Sequence, residues 1–222
     1  MPKICYWCGD PATSREHVPS RNLFPQGKNK NLITVPSCSR HNEALTKFDE
    51  KFRLYLQARE SSADALNEFK TTTLRGLNRP ESQGLVRGLA RGARRVVVHG
   101  QQTLALQVDP AEQNLYFEKI VRGLYFHLYQ KPTKGRVVSV SKDFIVPGLD
   151  YGELQRIIGP HLNDANVTKE GKTHNPDIFR YKYARVEEAG KEVLAVAMLF
   201  YSGVEVLGLI TPEADAATTT AT

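Results

Sequence analysis

The pattern of apolar and polar positions changes texture at about residue 42. Before it, Gly9, Pro11, Pro19, Pro25, Gly27 and Pro36 interrupt the chain and no helical period holds. The one extended run there, "NLITV" at 31–35, predicts a short strand. After it, Leu45, Phe48, Phe52 and Tyr55/Leu56 fall three to four apart, which predicts an amphipathic helix. A second helix is expected from a cap at Ser61, with Asp64 in its first turn, to about Leu77 and ending near Pro80.

"GLVRGLARGARR" then repeats glycine and arginine every four residues. Interior glycines cost a helix about 1 kcal/mol each against alanine. The run therefore reads as a segment that packs closely on another helix or orders on phosphates, or as an exposed helix or loop. "VVVHGQQTLALQV" predicts a strand pair around His99–Gly100. "PAEQNLYFEKIVRGLYFHLYQK" predicts a largely buried helix opening at Pro110 and carrying Leu115, Ile120, Leu124 and Leu128. Strands "RVVSV" and "DFIV", a short helix near Tyr151–Ile158 and a polar loop through Lys172–Asn175 follow. An alternating strand "IFRYKYARV" and a final hairpin over Val193–Ile210 complete the pattern, and the tail "ADAATTTAT" is expected to be disordered.

These elements predict an α+β protein. A small N-terminal module is expected over 1–58, then a basic helical connector over 59–95. An α+β domain over 96–213 ends in the hairpin, and the tail covers 214–222. The apolar run from Val193 is broken by Ser202–Gly203 and carries Glu205, so it reads as two buried strands rather than a membrane helix. With no signal-like apolar run at the N-terminus, the expected location is cytoplasmic, with no membrane partner.

Charge sharpens this division. Residues 1–100 hold 17 of the 30 Lys and Arg but 9 of the 24 Asp and Glu, a net of +8, whereas the remainder nets −2. A basic first half favours a polyanionic partner such as nucleic acid. The expected phosphate contacts are Arg15, Arg21, Lys28, Lys30 and Arg40 near the candidate site, with Arg87 and Arg91 on the connector.

The chain's three cysteines crowd the first forty residues, a poor disulfide framework and a better metal site. Cys5 and Cys8 form one knuckle, and Cys38 and His41 a second with the same spacing. Three thiolates and one imidazole complete a tetrahedron suited to structural Zn2+. Trp7 and Tyr6 are expected to cover it. Between the knuckles lies Glu16–His17, and Asn42 follows the last ligand directly. Glu16 and the Asn42 carbonyl are oxygen donors for Mg2+ or Mn2+, and His17 is a general-base candidate. Asn42 is also a favoured helix cap. Asp49 and Glu50 are expected on a solvated helix face. His99, His127, His161 and His174 lack spaced partners and read as structural.

The ordered set "EHVPS", "LF", "LITVPSCSRHN" and "FDEKFR", covering about residues 5–55, resembles the HNH endonuclease family, in its bacterial and phage type with zinc knuckles. The resemblance implies that 1–58 is a zinc-bound module of ββα-metal type and that it hydrolyses phosphodiester bonds, with double-stranded DNA the expected substrate. It makes His17 the general base, Glu16 and Asn42 the ligands of the catalytic ion, and Asn31 the brace of the loop carrying His17. Asn29 fits the same position; Asn31 abuts the strand. Glu16 stands where many members have Asp, and His41 where Cys is usual. A phage or anti-phage role is an analogy at family level. Two other readings stay open: a zinc ribbon that binds nucleic acid without cutting, and an interaction or toxin-like protein whose activity lies in the second domain. A homo-oligomer or protein partner through that domain is equally open.

Overall fold

The structure, a computed structural model, describes residues 3–58, 62–98, 100–144, 150–188 and 191–211. An N-terminal hairpin, β1 (Ser14–His17) and β2 (Thr34–Ser37), leads into the short helix α1 (Ser39–Asn42) and into α2 (Thr46–Ala58). Helices α3 (Ala63–Glu68), α4 (Leu74–Leu77) and α5 (Gln83–Gly92) precede a second hairpin, β3 (Ala93–Val98) and β4 (Gln101–Leu106). The long helix α6 (Pro110–Tyr129) is followed by β5 (Arg136–Ser141) and α7 (Tyr151–Asn163). Strands β6 (Thr168–Glu170), β7 (Phe179–Glu188), β8 (Lys191–Phe200) and β9 (Val204–Thr211) complete the α+β fold.

The expected final hairpin is β8–β9, turning through Tyr201–Gly203, and it lies inside an antiparallel sheet of order β5-β9-β8-β7-β6. Side chains alternate across the sheet. Leu194, Val196, Met198 and Phe200 join the cluster that holds α6, while Ala195 and Ala197 meet Leu154, Ile158 and Leu162 of α7 on the other face. Pro110 opens α6 under an Asp109 cap whose Oδ1 accepts the N–H groups of Ala111 and Glu112. Helix α7 runs five residues beyond the expected Ile158, through Pro160, because Leu162 continues the buried stripe.

Three local expectations change. Ser62, not Ser61, caps α3, its hydroxyl accepting from the Ala65 N–H at 3.2 Å; Ser61 lies outside the described residues. The Gly/Arg run does form helix α5, but a Cβ at Gly84 or Gly88 would meet nothing within 4 Å, so these glycines serve no close packing among the described residues. Of "DFIV", Phe144 makes a single bridge to Ser141, and 145–149 lie outside the described residues, as do His99 and 212–222.

One buried cluster joins Cys5, Tyr6, Val18 and Leu23, then Phe52 and Leu56 of α2, to Phe117, Ile120 and Leu124 of α6 and to the sheet. A buried polar chain reinforces it: Thr73 donates to Gln57, Gln57 donates to the Tyr201 hydroxyl at 2.9 Å, and that hydroxyl donates to the Leu23 carbonyl. Helix α6 lies close against the N-terminal segment at Gly123, where a Cβ would lie 2.5 Å from Val18 Cγ2. Gly123→Ala is therefore expected to lower stability by about 1–3 kcal/mol, as overpacked sites do, read from the urea midpoint.

Candidate functional site

The first knuckle turns tightly, with the Gly9 N–H on the Cys5 carbonyl and Gly9 itself at φ 81°. Cys38 caps α1, its carbonyl accepting the N–H groups of His41 and Asn42 at 3.1 Å. The ligand atoms of Cys5, Cys8, Cys38 and His41 all lie within 4.8 Å of one another. Cys8 and Cys38 Sγ are 3.8 Å apart, and His41 Nδ1 is 3.2 Å from Cys38 Sγ and 3.7 Å from Cys5 Sγ. A tetrahedral Zn2+ with bonds of about 2.3 Å to sulfur has sulfur–sulfur edges of about 3.8 Å. The cluster can hold a metal ion such as zinc. Burial raises the Cys5 thiol, but the N–H groups of Cys8, Trp7 and Cys38 outweigh it and leave it below its ordinary value. Burial, then Arg40, keeps His41 below its ordinary value, as a ligating imidazole requires. Trp7 stacks on His41 at 4.9 Å and 11°, and the Arg122 guanidinium covers the other ring contact at 5.3 Å.

Strand β1 separates its side chains by face. Ser14 and Glu16 point one way, and Arg15 and His17 the other. Asn42 stands on the Ser14 side: its Nδ2 donates to Ser14 Oγ at 2.8 Å and to the Arg15 carbonyl at 3.3 Å. Its side-chain carbonyl makes no hydrogen bond among the described residues.

Glu16 is buried. Its Oε1 accepts the His17 N–H at 3.1 Å and lies 3.3 Å from Lys119 Nζ, while its Oε2 has no partner among the described residues. Lys119, from α6, is only 2% exposed. It donates to both Asp49 oxygens at 2.8 Å and to Ser20 Oγ at 3.4 Å. Two carboxylates thus face one ammonium. Burial pushes the Glu16 carboxyl up to about 7, Lys119 pulls against it, and Asp49 adds to the rise. Among the described residues, one Glu16 oxygen and the Asn42 side-chain carbonyl are thus left without a protein partner.

Asp49 corrects an expectation. It is buried against Lys119, because helix α6 covers that face of α2, whereas Glu50 keeps the expected solvated position. His17 is half-buried at the end of β1. Burial, then Arg21 and Arg15, holds its imidazole below the ordinary value. Asn31 is exposed in the left-handed region at φ 53°, a conformation asparagine tolerates well. Two residues later the Ile33 carbonyl accepts the Val18 N–H at 3.0 Å. Arg15 donates to Thr34 Oγ1, and Arg40 pairs with Asp10 at 3.4 Å beside the knuckle. Lys28 and Lys30 are exposed on the β1–β2 connection, where the Lys28 carbonyl accepts from Asn175. Arg87 and Arg91 are exposed on α5, outside the elements that build the site.

Lys119 and Arg122 are not visible from the motif. The available signal is a lysine on the core-facing side of an amphipathic helix, with Tyr116, Ile120 and Gly123. Comparison with protein-family models, curated proteins and solved structures found no match to this chain. No helix among the described residues is long and apolar enough to cross a membrane.

Proposed function

We propose that the chain is a metal-dependent endonuclease of HNH type that hydrolyses phosphodiester bonds in DNA. The observation that carries this reading is the placement of Asn42, held across β1 by Ser14 and the Arg15 carbonyl, on the Glu16 side of the strand. His17 ends the same strand on its other face. In-line displacement needs the attacking water and the leaving oxygen on opposite sides of phosphorus. A phosphate lying across the end of β1 meets that requirement. His17 takes the proton of the attacking water, Arg15 and Arg21 on its side bind phosphate oxygens, and Glu16 with Asn42 faces the leaving group. Mg2+ or Mn2+ bound there supplies charge stabilisation for the leaving oxygen. The Cys5, Cys8, Cys38 and His41 cluster, filled by structural zinc, fixes Asn42 against β1.

The test is plasmid cleavage with Mg2+ or Mn2+ by wild type and His17→Ala. Removing a general base costs about 10²–10⁴-fold, so the variant should fall by that factor with its zinc content unchanged. Equal cleavage by both proteins, or binding without cutting by the wild type, rejects the mechanism; the second result favours a zinc-ribbon binding protein.

A further inference from the structure

Helix α6 belongs to the second half of the chain, yet it delivers Lys119 to the nuclease centre. One ammonium meets three separate pieces of that centre: Glu16 on β1, Ser20 in the segment after it, and Asp49 on α2. The next turn reinforces the seat, since Gly123 lets α6 lie against Val18, directly after His17. Arg122 of the same turn covers Trp7 on the metal-cluster side.

We propose that Lys119 is a positioning residue of the nuclease centre, fixing the Glu16 carboxylate through a buried ammonium anchored on Asp49 and Ser20, so that the α+β domain completes the site. The inference rests on the nuclease reading above. Glu16 has one oxygen committed to Lys119 and the His17 N–H, and the other left over. Anchoring the first oxygen sets the direction of the second, the buried one that no protein group engages among the described residues. A single hydrogen bond from the backbone would leave the carboxylate free to rotate. Asp49 in turn grips the ammonium with both oxygens, which fixes the Lys119 rotamer.

Because Lys119→Met alone strands Asp49 in the interior, the decisive variant is the double substitution Lys119→Met with Asp49→Asn. It removes one charge of each sign, so the net charge near the ion is unchanged. Mn2+ affinity is read directly, from the free Mn2+ electron paramagnetic resonance signal, alongside thermal melting and plasmid cleavage. Partners that orient a metal ligand are worth about 10–100-fold in affinity. The folded double variant should bind Mn2+ weaker by that factor and lose cleavage in step, while Lys119→Arg retains part of both. A folded double variant with wild-type Mn2+ affinity and cleavage overturns the proposal and leaves the pair purely structural. Wild type that binds Mn2+ without cutting rejects the nuclease reading alone, with the Lys119 role still read from affinity. Wild type that binds no Mn2+ overturns both.

Discussion

Cys38→Ala, or chelation of the metal, is expected to unfold the segment up to about residue 45 and to give the largest stability loss of any single change here. Structural zinc in small sites contributes about 10–16 kcal/mol of apparent binding energy. That segment has little regular structure beyond two four-residue strands and the four-residue helix α1. The Cys38 carbonyl that accepts the His41 and Asn42 N–H groups survives in Cys38→Ala, so the loss comes from the thiolate ligand rather than from the cap of α1. Zinc content by atomic absorption should fall to near zero. Circular dichroism should lose the hairpin, while proteolysis should cut first within the N-terminal segment. Retention of one zinc per chain in a stably folded Cys38→Ala protein rejects the four-ligand site.

Lys119→Met should be the most destabilising change outside the metal cluster, at about 3–5 kcal/mol, the range for breaking a buried ion pair by removing one partner. Asp49 and Glu16 then face each other without a counter-charge in a site where the ammonium is 2% exposed. Asp49→Asn should cost less, because Lys119 keeps Glu16 and Ser20 as partners. The double variant should be more stable than Lys119→Met, since a buried pair replaced as a unit often costs little. Urea denaturation of the four proteins measures the coupling. Additive losses in that cycle would show that the two residues do not act as a pair.

What was legible in the sequence follows from spacing. Two knuckles with matched spacing led to a cluster whose donor atoms lie within 4.8 Å of one another. Alternation and the glycine turn led to β8 and β9. The rest was hidden because it depends on tertiary contact. Asp49 carries the same local signal as Glu50, and only the seating of α6 buries one and leaves the other in water. Lys119 lies 103 residues from Glu16 in sequence, so no local window contains both. Glu16 and His17 are neighbours in the chain, yet strand geometry sends them to opposite faces, which a motif written as a string does not convey. Asn31 fits a motif position, but its left-handed backbone, and the bond from the Val18 N–H to the Ile33 carbonyl beside it, are not written in the motif.

The stacking of Trp7 on His41 has a practical consequence. Trp7 is the chain's sole tryptophan, so its emission is an uncomplicated optical signal. Its indole lies against both a metal-cluster ligand and an α6 guanidinium. Loading of the cluster and detachment of α6 both change its surroundings. The protein thus carries a built-in fluorophore at the junction of its two halves, able to follow metal loss and their separation in real time without an added label.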